Sequence, residues 1–176
     1  VAGWTLEDPA RVSLKDVVRN VKATAVVGYT ATRGLFDAEL LGLLAGNTER
    51  PVVLALSNPT DCSECTAEEA VRLTGGKALV ATGSPFPVVH WKGREVAASQ
   101  CNNLYVFPGI GLGALVSRAS RVTDRMFVRA ARALAAMVTP EELKKGLLLP
   151  RMEQIREVAF AVAREVALEA RDSGLG

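Results

Sequence analysis

The sequence predicts an α/β fold, a parallel sheet followed by a C-terminal helical region, and three features predict it. Short β-branched or wholly apolar runs recur through the first two thirds, stretches with apolar residues at helical spacing separate them, and beyond Ser117 only helical patterns remain. Strands that alternate with helices pair in parallel, and such a sheet is expected to be covered on both faces. A soft division near Ser117 separates a sheet-containing part, 1–117, from a helical region, 118–176.

The first run, Ala23–Val27, is β-branched and stops at Gly28. Leu35, Phe36, Leu40, Leu41 and Leu44 then recur at helical spacing, ending near Gly46. The second run, Pro51–Leu56, is apolar at every position, as a strand between two helix layers must be, and stops at Ser57-Asn58-Pro59. Thr66-Ala-Glu-Glu69 reads as a capping box, in which the Thr66 hydroxyl and the Glu69 carboxylate satisfy each other's backbone donors, and Gly75-Gly76 closes that helix. A third strand, Ala78–Ala81, ends at Thr82-Gly83-Ser84-Pro85.

Residues 86–103 change character and predict an excursion with a small hairpin turning at Lys92-Gly93. Leu104–Phe107 reads as one more strand, stopped by Pro108-Gly109. Helices are expected over Gly111–Ala119, Asp124–Met137, Glu141–Lys145 and Met152–Arg171. Thr139-Pro140-Glu141-Glu142 marks a helix start, with Pro at the first position and Glu at the third, and Gly146 marks its stop.

Composition narrows the function classes. A chain of 176 residues with 49% hydrophobic and 23% charged residues is that of an ordinary globular domain, which excludes disorder, collagen and a disulfide scaffold. The charge sum of +2 argues neither for nucleic acid nor for an anionic membrane. Three cysteines suit a reducing compartment; with no basic-then-apolar opening and no apolar stretch of spanning length, a cytoplasmic location is expected. The opening residue is Val1 rather than Met, so the chain is expected to be a piece of something longer.

A parallel sheet delivers the loop after each strand to one carboxyl edge, where open α/β folds bind ligands, so Gly28-Tyr29-Thr30, Ser57-Asn58 and Gly83-Ser84 are expected to converge. Asn58 offers a neutral amide at a strand tip, able to hold a carboxylate, hydroxyl or carboxamide without transferring a proton; an Asn-Pro turn with no ligand is the plainer alternative. Asn102-Asn103 has the same two readings.

Other motifs weaken on inspection. Gly109-Ile-Gly-Leu-Gly-Ala114 matches G-x-G-x-x-G/A, but two helices follow it instead of a helix and an acidic-tipped strand, so glycines that let a helix pack closely explain it better. Cys62-Ser-Glu-Cys65, with Cys101 and His90, could at most furnish one Cys₃His site; isolated ligands favour an inert loop pair. His90 is the only histidine, and no nucleophile-elbow Ser or Cys accompanies it. Arg118, Arg121, Arg125, Arg129 and Arg132 would form a basic stripe on an unbroken helix, but Thr123-Asp124 is expected to start a new helix and break it.

At these residues the sequence resembles the carboxy-terminal part of malic enzymes. The matching blocks are Arg50-Pro-Val-Val-Leu-Ala-Leu-Ser-Asn-Pro-Thr60, Glu64-Cys-Thr-Ala-Glu-Glu-Ala70, Ala81-Thr-Gly-Ser-Pro-Phe86, Asn102-Asn-Leu-Tyr-Val-Phe-Pro-Gly109 and Thr139-Pro-Glu-Glu-Leu143. They occur in family order at nearly family spacing. The resemblance implies that 1–117 is the C-terminal portion of a Rossmann-like dinucleotide-binding domain with helices 118–176 packed on it. It implies oxidative decarboxylation of L-malate to pyruvate and CO₂ with NAD or NADP and Mg²⁺ or Mn²⁺.

Carried across by motif, Asn58 and Asn103 would contact malate and the nicotinamide end of the cofactor, and Gly28, Tyr29, Thr30 and Ser57 would line the dinucleotide. No catalytic residue is assigned within the chain. The family's catalytic Tyr and Lys, its metal-binding carboxylates and its glycine fingerprint are implied to lie upstream, so this chain alone is expected to be inactive. An upstream malic-enzyme region or subunit and a homo-oligomer are the implied partners. The sequence departs from the family in a shorter Ser84–Pro87 stretch, in Cys101 where Gly is common and in the large Tyr29. A malolactic enzyme, turning malate into lactate, and a non-catalytic nucleotide- or partner-binding module are the alternatives.

Overall fold

A computed structural model describes residues 3–176. By its internal contacts the chain forms two compact units, one ending at Ala98 and the other spanning Ser99–Gly176.

The first unit carries parallel strands β1 (Ala25–Gly28), β2 (Val52–Ala55) and β3 (Leu79–Thr82). Helices α1 (Leu14–Val21), α2 (Ala38–Asn47) and α3 (Ala67–Leu73) accompany them. Gly28 pairs in register with Ala55, and Ala55 with Thr82, so the three strands end level at one carboxyl edge. An antiparallel hairpin follows, β4 (Val89–Trp91) and β5 (Arg94–Val96), turning at Lys92 (φ 49°) and Gly93 (φ 76°). Two left-handed residues make the turn whose twist matches the flanking strands. Within this unit the strand order is β1-β2-β3, and a further strand, β6 (Ala98–Gln100), begins at its last residue.

Alternation along the strands places Val26, Val53, Ala55 and Val80 on the face that packs with Val18, Phe36, Leu40, Leu41, Leu44, Ala70 and Val71 of the helical layer and its approaches. The opposite face is covered unevenly within this chain. On that face Val27 of β1 is 53% exposed, whereas Ala81 of β3 is fully buried.

Local signals explain the helix starts. The Thr66–Glu69 capping box forms as expected. Leu35 and Phe36, which share the helical spacing of the leucines, instead precede α2, because Asp37 takes the N-cap position and accepts from Leu40 N at 2.9 Å. Helix α1 has no counterpart in the sequence analysis. Its capping box pairs Ser13 with Asp16, where Glu or Gln is the usual partner.

The second unit is helical: α4 (Phe107–Val116), α5 (Asp124–Ala136), α6 (Pro140–Lys144) and α7 (Ile155–Asp172). Leu104–Phe107 is not a strand. Asn103–Tyr105 forms a 3₁₀ turn capped by Asn102, whose Oδ1 accepts from Leu104 N at 3.0 Å, and α4 starts at Phe107. Pro108 opens that helix rather than stopping a strand, since a first-turn residue needs no amide donor. Tyr105, β-prone by type, is held by a distant partner: its buried hydroxyl donates to the Pro150 carbonyl at 2.7 Å. Gly109 and Gly113 seat α4 on α7, where a Cβ would stand 2.7 Å from the Ala159 carbonyl oxygen and 2.6 Å from that of Ala163. The G-x-G-x-x-G/A string is thus a helix-packing surface. Thr139, Pro140 and Glu142 form the expected capping box of α6.

Candidate functional site at the carboxyl edge of the sheet

Within the first unit the loops after β1, β2 and β3 meet. Leu56 N donates to the Gly28 carbonyl at 3.0 Å and Gly83 N to the Ala55 carbonyl at 3.1 Å, extending the ladder past the strand ends. Gly83 has no space for a side chain, since a Cβ would lie 2.2 Å from the Leu56 carbonyl oxygen and 2.9 Å from Asn58 Nδ2. Asn58, joined to Pro59 by a cis peptide bond, is exposed. Its Oδ1 accepts from the Ser84 hydroxyl, and its Nδ2 has only a long 3.4 Å contact to the Leu56 carbonyl. That weak bond takes one of the two Nδ2 hydrogens, and the other has no partner among the described residues. Tyr29 is 76% exposed and Thr30 is exposed, whereas Gly28 and Ser57 are buried.

A carboxylate organises this edge. Glu64 is wholly buried, and its Oε1 accepts from Ser57 Oγ at 2.6 Å and from both Thr30 N and Thr30 Oγ1 at 2.8 Å. Ser57 Oγ in turn accepts from Ala31 N at 2.9 Å. Burial opposes the charge on Glu64, but the donors from Ser57 and Thr30 outweigh it and hold the carboxyl below its ordinary value. Oε2 is buried without a hydrogen-bond partner, beside Gly28, where a Cβ would stand 2.7 Å from it. In the sequence Glu64 falls within the Glu64–Ala70 block and carries no role of its own. The available signal was a carboxylate between two cysteines, close to a strand tip.

The remaining expected residues are placed as follows. Asn103, in the second unit, is exposed at the start of the 3₁₀ turn, with its carbonyl accepting from Val106 N at 3.0 Å. Cys62, Cys65 and Cys101 are free thiols, and burial, with the charges of Glu69 and Glu64 nearby, pushes the Cys65 thiol up to about 12. Among the described residues no group of three or more His, Cys, Asp or Glu side chains is arranged to hold a metal ion. Thr123 stands at the N-cap position of α5, without a side-chain capping bond, and the helix start there breaks the arginine stripe; Arg125 and Arg129 turn to Glu169 of α7. No helix among the described residues is long and apolar enough to cross a membrane.

Residues 2–171 match the family profile described as "Malic enzyme, NAD binding domain". The chain belongs to the malic enzyme family. It is 45% identical over 175 residues to an NAD-dependent malic enzyme of Pseudomonas savastanoi, covering 99% of this chain and 31% of that protein. It is 43% identical over 163 residues to an NADP-dependent malic enzyme of Dictyostelium discoideum, covering 93% and 30%. The crystal structure of Entamoeba histolytica malic enzyme superposes with a TM-score of 0.75 at 26% identity, covering 96% of this chain and 31% of that one. The chain thus spans under a third of the length of these malic enzymes, within the dinucleotide-binding part of the family.

Proposed function

We propose that the chain works as the C-terminal segment of a malic enzyme, in the oxidative decarboxylation of L-malate to pyruvate and CO₂ with NAD⁺ or NADP⁺ and a divalent metal. The supporting observation is the exposed Asn58 side chain at the level carboxyl edge of a parallel sheet, its oxygen occupied by Ser84 and one N–H of its amide without a partner among the described residues. A spare N–H donor suits an anionic or carbonyl oxygen, as in a malate carboxylate or a nicotinamide carboxamide.

The groups that would meet a dinucleotide at this edge are neutral hydroxyls, amides and main chain, while the Glu64 carboxylate that Thr30 and Ser57 bond to is itself wholly buried. Gly28, Tyr29, Thr30, Ser57 and Asn58 would line it, and when bound it supplies the hydride acceptor. Asn58 and Asn103 would orient malate by hydrogen bonds and move no proton. The described residues contain no ligand set for Mg²⁺ or Mn²⁺, so no step is assigned to a metal on this chain. With proton-transfer and metal-binding groups placed upstream, the 176-residue chain by itself is expected to be inactive.

The test replaces Asn58 or Asn103 by Ala in the longest native chain and follows malate-dependent reduction of NAD⁺ or NADP⁺ with Mn²⁺. Loss of one hydrogen bond to a charged ligand should lower kcat/KM for malate by about tenfold or more. Unchanged kinetics would refute these roles, and lactate in place of pyruvate would point to the malolactic reaction.

A further inference from the structure

We propose that Glu64 is a positioning residue for the dinucleotide: its buried carboxylate ties the loop after β1 to the loop after β2, so that the two present their binding groups as one rigid edge. The inference rests on the dinucleotide role proposed above for Gly28, Tyr29, Thr30, Ser57 and Asn58, and adds a residue that touches none of the ligand itself.

The geometry has three parts. First, one oxygen collects donors from two separate loops: Thr30 N and Oγ1 from the first, Ser57 Oγ from the second. Second, Ser57 relays the tie, because the same hydroxyl that donates to Glu64 accepts from Ala31 N. Ala31 has φ 51°, a left-handed backbone that a non-glycine residue adopts only when its surroundings fix it. Third, space is reserved for this carboxylate, since a Cβ on Gly28 would fall 2.4 Å from Glu64 Cδ.

A buried charge without a cation is tolerated only when dipoles surround it, and here all the dipoles come from ligand-facing loops. Removing the charge therefore loosens the loops before it loosens the core. Asn58 immediately follows Ser57, so a shift at Ser57 is transmitted to the Asn58 amide along the main chain. Displacements of about 1 Å in a positioning group can lower binding or rate by up to about a hundredfold.

The experiment uses the full-length protein with Glu64→Gln, which keeps the size and one acceptor but loses the charge, alongside Ser57→Ala and the double variant. For Glu64→Gln the dinucleotide KM, and its Kd measured by direct calorimetric titration, should rise about tenfold or more, while its kcat at saturating dinucleotide stays within about threefold. The double variant should be no weaker in binding than the weaker single one, because both break the same tie. Glu64→Gln with a dinucleotide Kd within about twofold of the parent and only a lower Tm would overturn the proposal, since that is the signature of a packing role. If Glu64→Gln does not fold, Glu64→Asp keeps the charge but draws the carboxylate back by one methylene from Thr30 and Ser57; it should raise the same Kd several-fold, and an unchanged value would overturn the proposal as well. An unmodified protein that binds the dinucleotide but does not oxidise malate refutes the malate reading alone, because the Kd arm still reports on Glu64.

Discussion

Each unit buries a glutamate, and the two are held in opposite ways. Glu64, fully buried in the first unit, takes two hydroxyls and one main-chain amide on a single oxygen and forms no ion pair among the described residues. Glu169, 1% exposed in the second, is paired with Arg129 at 2.6 Å and Arg125 at 2.9 Å, and accepts from Ser173 Oγ at 2.7 Å. Arginines on α5 and a glutamate on α7 fasten two regular helices whose positions packing already defines. Hydroxyls and amides from two loops around one carboxylate fasten segments that have no repetitive structure of their own. The difference teaches where each device belongs: cations lock elements, whereas neutral donors shape an edge that must remain open to a ligand.

The strongest way to break the comparison is at the glycines that make room in each unit. Gly28→Ala drives a methyl into the Glu64 side chain inside a filled core, so it should destabilise the protein by about 3 kcal/mol and weaken dinucleotide binding with it. Gly113→Ala presses instead on the Ala163 carbonyl and the Val166 side chain of α7. Overpacking there is partly offset by the better helix propensity of Ala, leaving about 1–2 kcal/mol of destabilisation. Thermal or denaturant unfolding measures both. A Gly28→Ala variant as stable as the parent would mean that Glu64 can leave its seat freely, and the contrast between the units would collapse.

Salt and acid sharpen it further. Arg125 is 77% exposed, so part of the attraction holding Glu169 passes through solvent and is screened. Glu169→Gln should therefore cost about 1–2 kcal/mol at low salt and visibly less at 1 M NaCl, while the cost of Glu64→Gln should not depend on salt. Equal salt slopes would show that the two carboxylates are held alike. For acid the sign is set by Glu64, whose folded pKa lies below its unfolded one. Its stabilisation is complete above the unfolded value and is lost as pH falls through the folded one. The parent should thus lose Tm more steeply than Glu64→Gln as pH falls below about 4, and parallel curves would contradict a depressed pKa.

How much of this was legible in the sequence follows from how far each signal reaches along the chain. Capping boxes at Thr66–Glu69 and Thr139–Glu142, the Lys92-Gly93 turn and the strand runs are written within a few residues and fold as read. The Leu104–Phe107 segment was misread because its aromatic and β-branched residues suit a strand, while the contact that fixes Tyr105 lies 45 residues away at Pro150. The loops of the candidate site were legible from topology, since parallel strands must end at a common edge. Glu64 was not, because its donors at Thr30 lie 34 residues upstream and no local pattern distinguishes a carboxylate that will be buried from one that will be solvated.

The smallest expected effect lies within the G-x-G-x-x-G/A string, where adjacent glycines answer different questions. Gly109 and Gly113 face α7, but a Cβ on Gly111 would meet nothing within 4 Å. If close packing explains the string, only the two contacting glycines are required, and Gly111 merely leaves the α4 backbone with more freedom to lose on folding. Gly111→Ala should therefore stabilise the protein by about 0.5–1 kcal/mol, opposite in sign to Gly113→Ala on the same helix. A loss of stability at Gly111 matching that at Gly113 would show that something beyond helix packing needs the glycine, and the string would have to be considered again as a place where main chain approaches a ligand.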